Sequence, residues 1–170
     1  KKLMNLKKNL VLLGMMASGK STIGALLSNK LQLNFYDIDK MIEKKMHMTI
    51  AEIFNNKGEE KFRSLEEKTT LKTLQNKNCV VSLGGGAFFN EKVRKEIIMN
   101  HISIWLNCSS KTLLNRIRKN KKRPLANKLT NSELIELIEK RKNIYTKANF
   151  KINCDKLSKK EIVESILKLL

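Results

Sequence analysis

The chain has 170 residues, 41% of them hydrophobic, a length that builds a full core without disulfide support and argues against disorder. Its formal net charge of +19 raises the question of nucleic acid, but 29 of the 35 basic residues are lysines spread along every helical stretch, and aromatics make up only 5%. With so few stacking platforms and the lysines scattered along the helices instead of clustering on one, the charge reads as a solvated surface that attracts anionic substrates, and no nucleic-acid partner is expected.

In chain order, short apolar runs alternate with longer amphipathic ones, the pattern of a parallel sheet with crossover helices. The strands are expected at 9–13, 33–37, 79–83, 102–107 and 150–154. Helices are expected near 20–31, 39–46, 50–56, 59–76, 91–99, 110–119, 131–147 and 159–170. Three starts carry capping-box spacing, a hydroxyl residue with glutamate three positions on: Thr49/Glu52, Thr130/Glu133 and Ser158/Glu161. Two stretches read as insertions on the core and as moving parts over a site: 38–63, and "KNKKRPLANKLT" at 119–130, which holds the only proline. No apolar run is long enough for a membrane span, and no signal-peptide pattern is found. The three cysteines, Cys79, Cys108 and Cys154, lack metal-ligand spacing and lie in or beside apolar runs, so buried free thiols in a reducing cytoplasm are expected.

"GMMASGKS", Gly14 to Ser21, matches the phosphate-loop pattern G-x-x-x-x-G-K-[ST], with a strand before it and a helix after. Backbone N–H groups of such a loop point inward and the helix dipole favours an anion there. Lys20 would reach the outer phosphates and the Ser21 hydroxyl a magnesium ion. "FYDID" sets Asp37 and Asp39 at the end of the second strand; if extended, the two carboxylates share a side. One could then hold metal-bound water while the other meets a substrate hydroxyl. "VVSLGGG" puts three glycines at a strand end, where a ligand can approach the backbone closely, and Ser82 just before them could hold a magnesium-bound water. Finally, a chain that prefers lysine nearly everywhere uses arginine at six positions only: Arg63, Arg94, Arg116, Arg118, Arg123 and Arg141. A guanidinium grips carboxylate or phosphate with a planar fork that lysine lacks, which marks these six as candidates.

Taken in order, "GMMASGKST", "FYDID", "GEEKFRSLEE", "SLGGG", "KKRPLA" and "EKRKNIY" resemble the shikimate kinase family over essentially the whole chain. The resemblance implies a single domain of nucleoside-monophosphate-kinase-like α/β fold: a five-stranded parallel sheet in order 2-3-1-4-5 flanked by helices, with 38–63 as substrate-binding insertion and 119–130 as lid. It implies transfer of the ATP γ-phosphoryl group to the 3-hydroxyl of shikimate. Asp39, Arg63, Gly85, Gly86 and Arg141 would hold shikimate, Asp39 accepting from its hydroxyls and the arginines forking its carboxylate. Gly14, Ala17, Ser18, Gly19, Lys20, Ser21 and Thr22 would cradle the ATP phosphates, with Arg116 beside adenine. Ser21, Asp37 and Ser82 would serve Mg²⁺ directly or through water. Lys20, Asp39 and the lid's Arg123 would be catalytic, in a cytoplasmic monomer.

Two departures stand out. Members commonly have glycine where this chain has Ala17, and the family's second basic residue on the adenine side is matched only by Lys156. Two other readings of the residues stay open here: a related kinase for gluconate or nucleotides, and an anion- or nucleic-acid-binding module without turnover.

Overall fold

The five apolar runs form five parallel strands of one sheet. The computed structural model describes residues 8–120 and 124–170. The strands are β1 (Leu10–Leu13), β2 (Asn34–Asp37), β3 (Cys79–Ser82), β4 (Ile102–Asn107) and β5 (Phe150–Asn153), in the order β2-β3-β1-β4-β5. The expected order is therefore the observed one. Every residue of β1 and β3 is buried, because helices cover both faces of the sheet. That is why these strands are continuous apolar runs with no alternation. In the middle of the sheet Val11 sits between Val81 and Ser103.

The helices are α1 (Lys20–Leu31), α2 (Ile38–Met46), α3 (Ile50–Thr73), α4 (Glu91–Asn100), α5 (Ser110–Lys119), α6 (Pro124–Asn127), α7 (Asn131–Tyr145) and α8 (Lys159–Leu167). All three capping boxes form. Thr49, Thr130 and Ser158 each accept from the backbone of the glutamate three residues on, and each glutamate reaches back to the cap N–H. Each box satisfies two helix-end donors. The helices expected at 50–56 and 59–76 are one element, α3, kinked at Gly58, whose φ of 82° and ψ of 163° are not helical. The closing helix buries Ile162, Val163 and Ile166, as its amphipathic pattern required.

Parallel strands end on the same edge of the sheet, and that edge positions the site. Ser82 is the register partner of Leu12 on one side and of Asp37 on the other. The loop after β1, the start of α2 and the glycine triplet after β3 therefore leave the sheet side by side. Among the described residues no helix is long and apolar enough to cross a membrane.

Candidate active site

The loop between β1 and α1 carries three left-handed residues: Gly14 (φ 146°), Ala17 (φ 64°) and Gly19 (φ 99°). Gly19 is the N-cap of α1 and supplies no capping side chain, and the first turn holds no acidic residue. The helix therefore presents its positive end to the loop's interior, where an anion is favoured. Lys20 is 8% exposed and folds its ammonium back onto the loop, donating to the carbonyls of Gly14 (2.7 Å) and Met15 (2.9 Å). Ser18 is buried nearby, its Oγ without a partner among the described residues. Ser21 and the exposed Thr22 follow on the first turn of α1.

β2 ends at Asp37 and the chain turns at once into α2. Asp37 is the N-cap of that helix: its carboxylate accepts from the Lys40 N–H (3.2 Å) and from the Ser21 hydroxyl (2.5 Å). The extended arrangement of the two aspartates does not occur, because this cap starts the helix and carries Asp39 into its first turn. Asp39 is brought to the site from α2 instead, where its Oδ1 is buried and has no hydrogen-bond partner among the described residues. Burial, reinforced by the neighbouring Glu66, raises the Asp39 pKa to about 6, with the Lys20 charge pulling the other way.

The glycine triplet explains how these groups fit. A Cβ on Gly84 would lie 2.7 Å from both Asp39 Oδ1 and Glu66 Oε2. One on Gly85 would lie 2.7 Å from Arg141 Nη1, and one on Gly86 2.6 Å from Arg63 Nη1. Four charged side chains from three helices thus close over three residues that have no side chain. Arg63 donates to Glu66 Oε1 (2.8 Å), and its guanidinium lies 5.2 Å from the Phe62 ring centroid and 5.9 Å from that of Phe54. Arg141 donates from Nη1 to Met15 Sδ (3.6 Å), which ties the triplet's surroundings to the loop after β1.

Glu66, Tyr145 and Met15 were missed in the sequence. Glu66 is 3% exposed, and burial raises its pKa against the opposing pull of Arg63. Its signal was present: Arg63 and Glu66 are three apart, one helical turn, in a stretch that already stood out. Tyr145 stands one turn beyond Arg141 and donates its hydroxyl to the Gly85 carbonyl.

The remaining described arginines hydrogen-bond the protein's own carbonyls and an amide side chain. Arg116 donates to the Ala17 carbonyl (3.1 Å). Arg94 spans the carbonyls of Phe88 and Phe89, both at 3.0 Å. Arg118 joins the Leu129 carbonyl (2.5 Å) to the Asn131 side chain, so it ties together the two ends of the 119–130 stretch. Arg123 lies outside the described residues.

Residues 16–170 match the family model for shikimate kinase. The chain belongs to the shikimate kinase family. It is accordingly an ATP-dependent kinase. It is 43% identical over 160 residues to a shikimate kinase of Sulfurihydrogenibium sp. (strain YO3AOP1), covering 94% of this chain and 96% of that one. It is 41% identical over 160 residues to one of Bartonella henselae, covering 94% and 76%. Among solved structures it is similar to shikimate kinase from Acinetobacter baumannii in complex with shikimate, with a TM-score of 0.90 at 29% identity over 97% of this chain and 93% of that one. The Aquifex aeolicus shikimate kinase gives a TM-score of 0.83 at 32% identity, covering 95% and 94%. A deoxyadenosine kinase from M. mycoides shares the fold, with a TM-score of 0.61 at 18% identity over 95% and 98%.

In this member of the shikimate kinase family the three cysteines are free and buried. The Cys108 thiol donates to the Ser18 carbonyl (3.8 Å) and that of Cys154 to the Ile152 carbonyl (3.4 Å); the proximity of the two thiols lowers the Cys108 pKa to about 7 and raises that of Cys154. Lys156 is exposed in the turn that follows β5.

Proposed function

We propose that the chain transfers the γ-phosphoryl group of ATP to the 3-hydroxyl of shikimate, with the roles carried by the residues just described. The observation that carries the reading is Asp39. It presents a buried carboxylate oxygen with no hydrogen-bond partner among the described residues, under the influence of the phosphate-loop Lys20 and beside the glycine triplet over which Arg63 and Arg141 lie.

In the reaction the bond from the γ-phosphorus to its bridging oxygen breaks, a bond from the substrate's 3-oxygen forms, and the hydroxyl proton passes to Asp39. An aspartate raised toward neutrality is a stronger base than an ordinary one and is still mostly ionised at pH 7. Phosphoryl transfer needs in-line positioning and charge neutralisation more than covalent chemistry. Lys20 and the N-terminus of α1 supply that neutralisation around the β- and γ-phosphates, with Gly14, Ala17, Ser18, Gly19, Ser21 and Thr22 shaping the cradle and Arg116 on the adenine side. Arg123 brings a further positive charge from the 119–130 lid, and closing that lid excludes water, which would otherwise take the phosphoryl group. Arg63 and Arg141 fork the substrate carboxylate, with Gly85 and Gly86 beneath the ring, and 38–63 completes the substrate-binding side.

The donor set at Ser21 and Asp37 suits magnesium: a hydroxyl and a carboxylate, both hard oxygen ligands, already 2.5 Å apart at the mouth of the phosphate loop. Such a site needs few protein ligands, since phosphate oxygens and water complete the shell, and Ser82 beside Asp37 in the sheet register would hold one of those waters. When bound, the ion offsets charge on the phosphate oxygens. Free, buried thiols support a reducing, cytoplasmic setting.

The test is a coupled ADP-release assay with shikimate, gluconate and nucleoside monophosphates as acceptors. Turnover with shikimate alone is the expected result; turnover with gluconate or a nucleotide and none with shikimate would overturn the reading.

A further inference from the structure

Tyr145 is 2% exposed at the end of α7, and its ring leans on Trp105 of β4, the centroids 5.8 Å apart at 46°. Packing alone would be served equally well by phenylalanine. The hydroxyl, however, is committed: it donates to the Gly85 carbonyl, 60 residues away in the chain. Burial pushes the phenol pKa up to about 12, so the group stays a proton donor throughout the working pH range.

The consequence lies in the peptide that follows. A trans peptide is planar, and its C=O and N–H point in opposite directions. Holding the Gly85 carbonyl down toward Tyr145 therefore turns the Gly86 N–H the other way, and that N–H makes no hydrogen bond among the described residues. The same anchor sets the height of Gly85 under Arg141, whose Nη1 would be 2.7 Å from any Cβ there. Arg141 is one helical turn before Tyr145, so the two side chains press on the same glycine from one helix face.

We propose that Tyr145 is a positioning residue of the acceptor site, whose hydroxyl anchors the Gly85 carbonyl and so aims the Gly86 N–H and seats Arg141 for an acidic acceptor. This rests on the reading that the glycine triplet and the arginines hold shikimate. A single buried hydrogen bond carries roughly 0.5–1.5 kcal/mol, or about two- to tenfold in affinity.

The experiment compares the wild type with Tyr145→Phe and Trp105→Phe by calorimetric titration with shikimate, steady-state kinetics and thermal melting. Tyr145→Phe is expected to raise the shikimate Kd and KM several-fold while the KM for ATP stays within about twofold. Trp105→Phe keeps the hydroxyl and loses packing; it is expected to lower Tm with little change in shikimate Kd. An unchanged shikimate Kd in Tyr145→Phe overturns the proposal. So does an equal loss of affinity in both variants, or failure of Tyr145→Phe to fold, since each makes the residue a packing element. A wild-type protein that binds ATP but no shikimate overturns the acceptor reading itself, and that outcome is separate from the others.

Discussion

Asp39 and Glu66, from two different helices, bring carboxylate oxygens to the same point: each would lie 2.7 Å from a Cβ on Gly84. Burial displaces both pKa values upward, and the nearby Glu66 charge adds to the rise at Asp39. Arg63 answers the charge of Glu66 at 2.8 Å, and Lys20 that of Asp39 from a greater distance. The glycine leaves space for this pairing, so the site depends on an atom that is absent from Gly84.

Gly84→Ala is therefore expected to leave the fold intact and to push Asp39 and Glu66 apart. Overpacking of this kind costs ~1–3 kcal/mol, roughly a five- to hundredfold rise in shikimate KM. Steady-state kinetics with each substrate varied in turn will check it, alongside circular dichroism for the fold. The KM for ATP should stay near the wild-type value; a parallel rise would mean that the phosphate loop had moved as well.

The Asp39 pKa of about 6 gives two signatures. The shikimate kcat/KM should fall at acid pH with an apparent pKa near 6, because the protonated carboxyl cannot take the hydroxyl proton. Stability carries the same shift. Below the unfolded value of 3.8 both states are protonated and Asp39 costs nothing; between there and about 6 the unfolded state loses its proton first, so stability is lost as pH rises. Asp39→Asn should thus cut kcat ~10²-fold or more while gaining ~1–2 kcal/mol in urea unfolding at pH 7.5 relative to pH 4. The same urea increment at both pH values would remove Asp39 as the group responsible.

Ala17 occupies a left-handed conformation, φ 64°, in which a Cβ meets its own backbone at a cost of ~1 kcal/mol. Ala17→Gly should relieve most of that strain and raise Tm by ~2–4 °C, a little less once the extra freedom of glycine in the unfolded chain is counted. The Ala17 carbonyl accepts from Arg116, so an accompanying drop in ATP KM would show that the strain reaches the nucleotide side. A lower Tm in the glycine variant would contradict the strain.

Arg123→Ala is expected to fold normally and lose turnover ~10²-fold or more, the usual loss when a charge aimed at a transition state is removed. Differential scanning calorimetry and the ADP-release assay separate the two effects. Near-normal turnover would remove the lid arginine from the mechanism.

The parts of the molecule legible in the sequence are those whose physics is local. The phosphate loop is eight contiguous residues with fixed neighbours on each side, and the capping boxes close over three residues. Strand runs were apolar throughout because both faces of the sheet are covered. The arginines could be picked out because the rest of the chain uses lysine. The roles of the acceptor-side residues came with the family resemblance, carried by short stretches in a set order.

Other features depended on groups far apart in the chain. Whether "FYDID" stays extended or turns into a helix was decided by Asp37, whose carboxylate caps Lys40 and leaves Asp39 on the first turn of α2. Glu66 belongs to the site because Gly84 leaves room for it, and Arg141 reaches Met15 across 126 residues. Tyr145 anchors Gly85 across 60. Residue types and short spacings carry hydrogen-bonding chemistry and helix boundaries, so the chain by itself determined the phosphate loop, the caps and the candidate charges. A pKa near 6, a strained alanine and an anchored glycine carbonyl arise only when the carboxyl edge of the sheet gathers separate segments within a few ångströms and excludes water from them. That was decided by the tertiary structure.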